Sequence, residues 1–223
     1  MKTIQHKFSL SLAIGIILLT ASIPASSQSG EFGLRFMPAF TKFDINTSSG
    51  NTIKGDIDLG YGVGALLGFH FSDYVGIQGE IIYSSFAQKY NEDNIERNIN
   101  LKYVNIPLLL SLNTGKKKAV NFGVVAGPQI GLNVGSKLLS SGGSIGDPIL
   151  SVKKGDLGFA YGAGLDFGLN PNRTFRLGLG FRGVHGLIDI SDNSNTIGDN
   201  SYYILDRTKI KVYSGYIGIS FLF

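Results

Sequence analysis

The chain has 223 residues, 43% hydrophobic and only 16% charged, with 31 glycines, no cysteine and no tryptophan beside 15 phenylalanines and 10 tyrosines. The lack of cysteine excludes a disulfide framework, a thiolate zinc site, a cysteine nucleophile and a lipid-modified N-terminal cysteine. The formal charge of +4 is no argument for nucleic acid, because two of the lysines lie in an opening segment that reads as an address and not as part of the fold. In that segment Lys2 and Lys7 form a basic region and 8–23 is a run of apolar and small residues. Ala25 and Ser27 then hold the third and first places before a cut ahead of Gln28. Residues 1–27 are expected to be a secretory signal peptide, removed to leave 28–223 as one mature domain. Its loss takes away two basic residues and no acid. The run falls short of the roughly 20 apolar residues a membrane helix needs.

Beyond residue 28 no apolar run is long enough for a membrane helix, and the dominant period is two. A first strand is expected over 31–43, with Phe32, Leu34, Phe36 and Phe40 on one face and Arg35 on the other. The second, 59–71, sets Leu59, Tyr61, Val63, Leu67 and Phe69 against Gly60, Gly62, Gly64 and Gly68. A third, 75–90, opposes Val75, Ile77, Ile81 and Tyr83 to Gln78, Glu80 and Ser84; a fourth, 98–112, opposes Val104, Ile106, Leu108, Leu110 and Leu112 to Asn105 and Ser111. The fifth, 119–134, carries Phe122, Val124, Ile130, Leu132 and Val134 opposite Asn121, Gln129 and Asn133. The sixth, 156–169, repeats the aromatic-against-glycine rule, with Leu157, Phe159, Tyr161 and Leu165 facing away from Gly158, Gly162, Gly164 and Asp166. The seventh, 174–188, places Phe175, Leu177, Leu179 and Phe181 opposite Arg176 and Arg182. The eighth, 209–223, places Tyr213, Ile217, Ile219, Phe221 and Phe223 opposite Ser214, Tyr216 and Ser220.

The links between these eight strands alternate in length. Short ones fall at 72–74, 113–118 and 170–173; long polar ones fall near 44–58, 91–97, 136–155 and 189–208. Such alternation is what an eight-stranded antiparallel up-and-down barrel requires, with both termini at the short-turn end, which in outer-membrane barrels is the periplasm. A soluble sandwich or lipocalin-like barrel shares the alternation, but the chemistry of the faces argues against it. The wide aromatic face is unbroken, and the glycine-dominated face would make a poor solvent surface. Thirteen residues at about 3.3 Å each, tilted by about 45°, rise roughly 30 Å, enough to cross an apolar band. With the faces reversed, Arg35, Arg176 and Arg182 would meet lipid at a cost of about 2–4 kcal/mol each near the midplane. The expected fold is therefore an all-β, eight-stranded transmembrane barrel in the bacterial outer membrane.

Ile217, Ile219, Phe221 and Phe223 close the chain as an alternating apolar series ending on an aromatic. This resembles the signature by which outer-membrane barrels are recognised for assembly, which makes Phe223 the expected assembly signal and the barrel assembly machinery an expected partner. Three runs carry a narrower resemblance. They are Tyr103-Val104-Asn105-Ile106-Pro107-Leu108-Leu109-Leu110, the glycine-punctuated segment from Phe122 to Gly131, and the segment from Asp156 to Asp166. Together they resemble the PorT-like outer-membrane β-barrel family of Bacteroidetes-type bacteria, over essentially all of 28–223. The resemblance implies fold and location; one family member serves protein secretion across the outer membrane, and nothing in these motifs marks that subgroup.

Motifs for chemistry are poor. Gly178-Leu179-Gly180-Phe181-Arg182-Gly183 satisfies a dinucleotide-binding pattern but lies within a strand, with no helix N-terminus to hold a pyrophosphate. Its glycines read instead as space for Arg182 and its neighbours inside a narrow barrel. Gly115-Lys116-Lys117-Lys118 lacks the features of a phosphate loop and reads as a solvated turn. His70 is expected to face the lumen near the short-turn end. His185, four residues before Asp189, echoes the rim pairs of membrane proteases, although those enzymes use larger barrels and more acids. The stretch 192–200, rich in Asp, Asn, Ser and Gly, is explained by Asx-turn chemistry without calcium. No catalytic, cofactor-binding or metal residue is therefore expected. Arg35, Glu80, Asp166, Arg176 and Arg182 are expected to form a paired polar interior, since charges in a low-dielectric enclosure must be compensated. A serine at Gly164 is expected to fit if the lumen has room.

The function expected from sequence is a non-enzymatic outer-membrane barrel with a structural, binding or accessory protein-secretion role. A narrow passive channel and an extracellular-rim hydrolase are the alternatives. Expected partners are outer-membrane lipid and, through the long loops, secretion-system or surface proteins, with no nucleic acid and no cofactor.

Overall fold

The computed structural model describes residues 29–42, 45–46, 52–53, 58–92, 95–141, 153–188 and 211–223. The expected signal peptide, the acid Asp189 and the 192–200 stretch lie outside them. Ten strands are formed: β1 (Ser29–Lys42), β2 (Ile45–Asn46), β3 (Thr52–Ile53), β4 (Asp58–His70), β5 (Val75–Glu92), β6 (Ile95–Asn113), β7 (Val120–Ser141), β8 (Gly155–Gly168), β9 (Phe175–Gly186) and β10 (Lys211–Leu222). Eight of them close a barrel in the order β1-β10-β9-β8-β7-β6-β5-β4, every neighbour antiparallel, while β2 and β3 pair with each other. Closure is completed by the last residue: Phe223 and Gly30 exchange both backbone hydrogen bonds, at 2.7 and 2.9 Å. A closed sheet has no edge, and this is what lets strands cross a medium in which unpaired backbone groups cannot be hydrated.

The period-two pattern becomes two faces of opposite character. Phe32, Leu34, Phe36, Ile81, Leu108, Phe122, Phe181 and Ile217 are among the large apolar side chains exposed on the outer face. Glu31, Gln78, Glu80, Asn105, Asn121, Arg176 and Arg182 are buried inside. A soluble barrel would invert this arrangement. Three prolines mark where the hydrogen-bonded ladder lapses, because proline has no N–H to donate. Pairing of β1 with β10 is missing at Pro38, that of β5 with β6 at Pro107, and that of β6 with β7 at Pro128 with the facing Leu108 and Leu109.

One expected loop is largely strand. The polar stretch 91–97 was assigned as a long link, yet β5 and β6 pair as far as Glu92↔Ile95, and β7 pairs with β6 as far as Ser141↔Glu96. In contrast, β4 leaves β5 at Tyr61↔Ser85, and β8 leaves β7 at Leu132↔Gly155. The result is a three-stranded ribbon projecting past the barrel at the end opposite the short turns. Its polarity suits water, and polarity alone does not oppose a strand once neighbours satisfy the backbone.

Candidate functional site

The interior is built in layers. At the short-turn end the decisive residue lies in a turn and not on a strand. Between β6 and β7, Gly115 adopts φ +145°, a conformation open to glycine and strained for residues with a Cβ. Its N–H donates to Asn121 Oδ1 at 3.1 Å. This fold-back aims Lys116 into the barrel, where it is 4% exposed. Lys116 Nζ lies 3.0 Å from Glu31 Oε2 of β1 and 3.0 Å from Asp166 Oδ2 of β8. His70 Nε2, at the end of β4, meets the same Glu31 oxygen at 2.9 Å. Asn121 ties the cluster to the turn, donating to Asp166 Oδ2 at 3.1 Å and to Asn113 Oδ1 at 3.0 Å.

Burial opposes the charge on the Lys116 ammonium, but the Glu31 and Asp166 carboxylates outweigh it and hold the pKa above the ordinary lysine value of 10.5. A folded-state pKa raised above the unfolded one gives stabilisation that is complete below about pH 10.5 and fades as pH rises through the higher folded value. Denaturant midpoints measured between about pH 8 and 12 should fall at the alkaline end. Lys116→Met should lower the midpoint at pH 8 and flatten the alkaline decline; an unchanged pH profile in the variant would remove Lys116 from this role.

One layer further in, the sheet brings together β1, β5 and β9. In the order of the eight-stranded ring, β5 and β9 stand four places apart, on opposite walls, with β1 midway between them. Arg182 of β9 reaches across to Glu80 of β5 with both terminal nitrogens, Nη2 donating to Oε1 at 2.8 Å and Nη1 to Oε2 at 3.2 Å. Arg35 Nη1 donates to Oε1 at 2.6 Å, and Gln78 Nε2 donates to the same oxygen. The Arg35 guanidinium also lies over the Tyr216 ring, 4.6 Å from its centroid, a cation–π contact. A two-point fork on a carboxylate is the strongest form this pairing takes, and here it spans the diameter of the lumen.

Of the five charges expected to pair, Arg35, Glu80 and Arg182 come together and Asp166 joins Lys116 instead. Arg176 departs from the expectation. Its guanidinium is fully buried and donates to backbone oxygens, from Nη1 to Lys118 at 3.0 Å and to Arg173 at 3.3 Å, and from Nη2 to Asp166 at 2.9 Å. It fastens turns together at the barrel end, where the short loops turn their carbonyls inward. Lys116 was read as solvated and Glu31 was not singled out, yet both sit at the centre of the first layer. His185 is exposed at the far end of β9.

Inner glycines make room for these long side chains, and the room is already used. A Cβ built on Gly164 would overlap the Tyr216 hydroxyl and lie 2.8 Å from the Leu179 carbonyl oxygen, and one on Gly180 would lie 2.6 Å from the Tyr216 ring. The condition on which a serine at Gly164 is expected to fit, that the lumen has room, is not met: Tyr216 occupies that space.

Beyond the Arg182–Glu80 bridge, toward the long-loop end, the lumen opens into a cavity of about 540 Å3, counting its open mouth. Met37, Ile82, Phe86, Val184 and Val212 line it together with Tyr103 and Asp156. Between the two charged layers lies a smaller polar gap, bordered by Arg35, Gln78, Lys116 and Asp166.

Residues 26–192, most of the chain, match the family model described as outer membrane protein beta-barrel domain. No curated protein matches the chain in sequence. In fold it is similar to OprG of Pseudomonas aeruginosa, with a TM-score of 0.55 at 17% identity over 88% of this chain and 97% of that one. Two further structural neighbours are the outer membrane protein AlkL, with a TM-score of 0.49 at 12% identity over 88% and 90% of the two chains, and Ail of Yersinia pestis, at 0.39 and 14% over 87% and 99%.

Proposed function

Because the chain belongs to the outer membrane protein β-barrel domain family, we propose that it serves as a plugged barrel of the bacterial outer membrane, with a structural, binding or accessory protein-secretion role and no enzymatic one. The observation that carries this reading is the Arg182–Glu80 fork across the full width of the lumen, backed by the Glu31–Lys116–Asp166 cluster on one side of it. An eight-stranded lumen is about as wide as the side chains that fill it, so two successive ionic layers leave no continuous aqueous path. The buried acids of both layers are held in ion pairs, which argues against a hydrolytic use of Glu31, Glu80 or Asp166. The projection of β5, β6 and β7 past the barrel at the end opposite the short turns supports a periplasmic short-turn end with both termini there. The Phe223–Gly30 pairing supports Phe223 as the residue that completes assembly.

The binding part of the proposal rests on the projecting ribbon. Among the described residues its two outer edges, on β5 beyond Ser85 and on β7 beyond Asn133, have no strand beside them. Open edges are templates for an added strand, and a secretion or surface protein is the proposed partner. We infer membership of the PorT-like family from the three sequence runs that resemble it, with residues 1–27 as the signal that directs export.

Reconstituted in planar bilayers, the wild-type protein should show no steady porin-sized current in moderate salt. Steady current through the unmodified barrel would overturn the plug and favour the narrow channel.

A further inference from the structure

The cavity above the plug contains an unanswered chemical demand. Most of its polar groups satisfy one another. Asn105 Nδ2 donates to Ser84 Oγ at 3.0 Å, Gln129 Nε2 to Asn105 Oδ1 at 3.3 Å and Ser214 Oγ to the Arg182 carbonyl at 3.2 Å. Arg182 itself spends both terminal nitrogens on Glu80. Three atoms are left over: Asp156 Oδ1, Tyr103 Oη and Arg182 Nε are buried with no hydrogen-bond partner among the described residues, and all three residues line this cavity. Asp156 is 9% exposed and Tyr103 is 1% exposed. Buried polar atoms are nearly always paired, and an exception calls for a missing partner.

We propose that this cavity binds a small amphipathic amine, its ammonium donating to the Asp156 carboxylate beside Tyr103 and its apolar body lying against Met37, Ile82, Val184 and Val212. The sign of the charge follows from the lining: among the described residues Asp156 has no ion-pair partner, whereas the Arg182 guanidinium, with only its Nε–H left over, is already ion-paired with Glu80. The Phe86 and Tyr103 rings, with centroids 6.2 Å apart and tilted by 41°, add aromatic surface that favours a cation. Apolar walls with a few convergent polar groups are the usual make-up of a small-molecule site. The proposal needs the plug only as a floor, and it would survive a leak below.

The test uses the full barrel in lipid nanodiscs with isotope-labelled Ile and Val methyl groups. Cyclohexylamine, cyclohexanol and cyclohexanecarboxylate are titrated in turn. Ile82, Val184 and Val212 report on the cavity, and lipid-facing Ile219 reports on partition into the bilayer. The amine should give saturable shifts at the three cavity methyls and none of that form at Ile219. The alcohol should bind more weakly and the carboxylate should not bind. Asp156→Asn should weaken amine binding at least tenfold while leaving the spectrum folded, and Ala39→Trp, which puts a large ring at the cavity wall, should abolish it. Equal binding of amine and carboxylate, an unchanged affinity in Asp156→Asn, or shifts that track Ile219 would each overturn the proposal. Conductance recorded on the same sample separates the two ideas, since current with specific amine binding would defeat the plug alone.

Discussion

Replacing Glu80 with alanine is expected to lower the unfolding free energy by roughly 3–5 kcal/mol, the range found when one partner of a buried ionic group is removed and the other charge is stranded. Glu80 is the single acid serving two arginines, with Arg35 at 2.6 Å and Arg182 at 2.8 Å from the same oxygen, so its loss leaves two guanidiniums facing each other across the lumen. The Tyr216 ring beneath Arg35 offsets only a small part of this, since a cation–π contact contributes on the order of 1–2 kcal/mol. Denaturant titration in lipid, followed by the shift between folded and unfolded bands on an unheated gel, measures the effect. Removing Arg35, Glu80 and Arg182 together in favour of leucines should cost far less, because apolar replacement of a whole buried ionic group is often close to neutral. The two variants differ in a second respect: Glu80→Ala should raise conductance by opening a wet gap between repelling cations, and the leucine barrel should stay closed. An alanine variant as stable and as silent as wild type would show that the fork is not the plug.

The barrel was legible because its signal is a strict period. Every residue from Leu59 to Leu67 reports a face, and the structure keeps the outward set of aromatics and aliphatics on the outer face. Charges could be assigned to the lumen by the same parity, but parity does not say who meets whom. Arg182 and Glu80 are 102 residues apart, and only the ring order sets them on opposing walls. Lys116 was out of reach for a different reason. Three consecutive lysines read as a solvated turn, and the inward aim of the first depends on the positive φ of Gly115 and on the Asn121 side chain that holds its N–H. Strand extension past the barrel is not legible because 91–97 is polar, and polarity without alternation does not distinguish a loop from a solvated strand. The cavity left a trace in the sequence: Met37, Ile82 and Phe86 are large apolar residues at positions of inward parity, where Arg35, Glu80 and Ser84 had set a polar rule.

Ile217→Arg should hinder insertion by about 2–4 kcal/mol, the cost of an arginine on the lipid face of a barrel near the midplane. Ile217 lies midway along β10, paired with Phe36 on one side and Leu179 on the other, and all three are exposed on the outer face. Leu165→Arg belongs to the same face but lies three residues from the short-turn end of β8, and should cost less because the penalty falls toward the interface. One residue away from Ile217, Tyr216 points the other way, and its surroundings predict a contrasting result. Gly164→Ser adds no charge, yet it pushes a Cβ into the Tyr216 hydroxyl, and in a packed interior such a clash costs about 1–3 kcal/mol. Adding Tyr216→Ala should recover much of that loss, whereas the same alanine should do nothing for Ile217→Arg. Outer-membrane yield and denaturant midpoints of the five variants decide the matter. If Ile217→Arg inserts normally while Gly164→Ser is equally benign, then neither the lipid face nor the filled lumen is as drawn, because both outcomes follow from one alternation along a single strand.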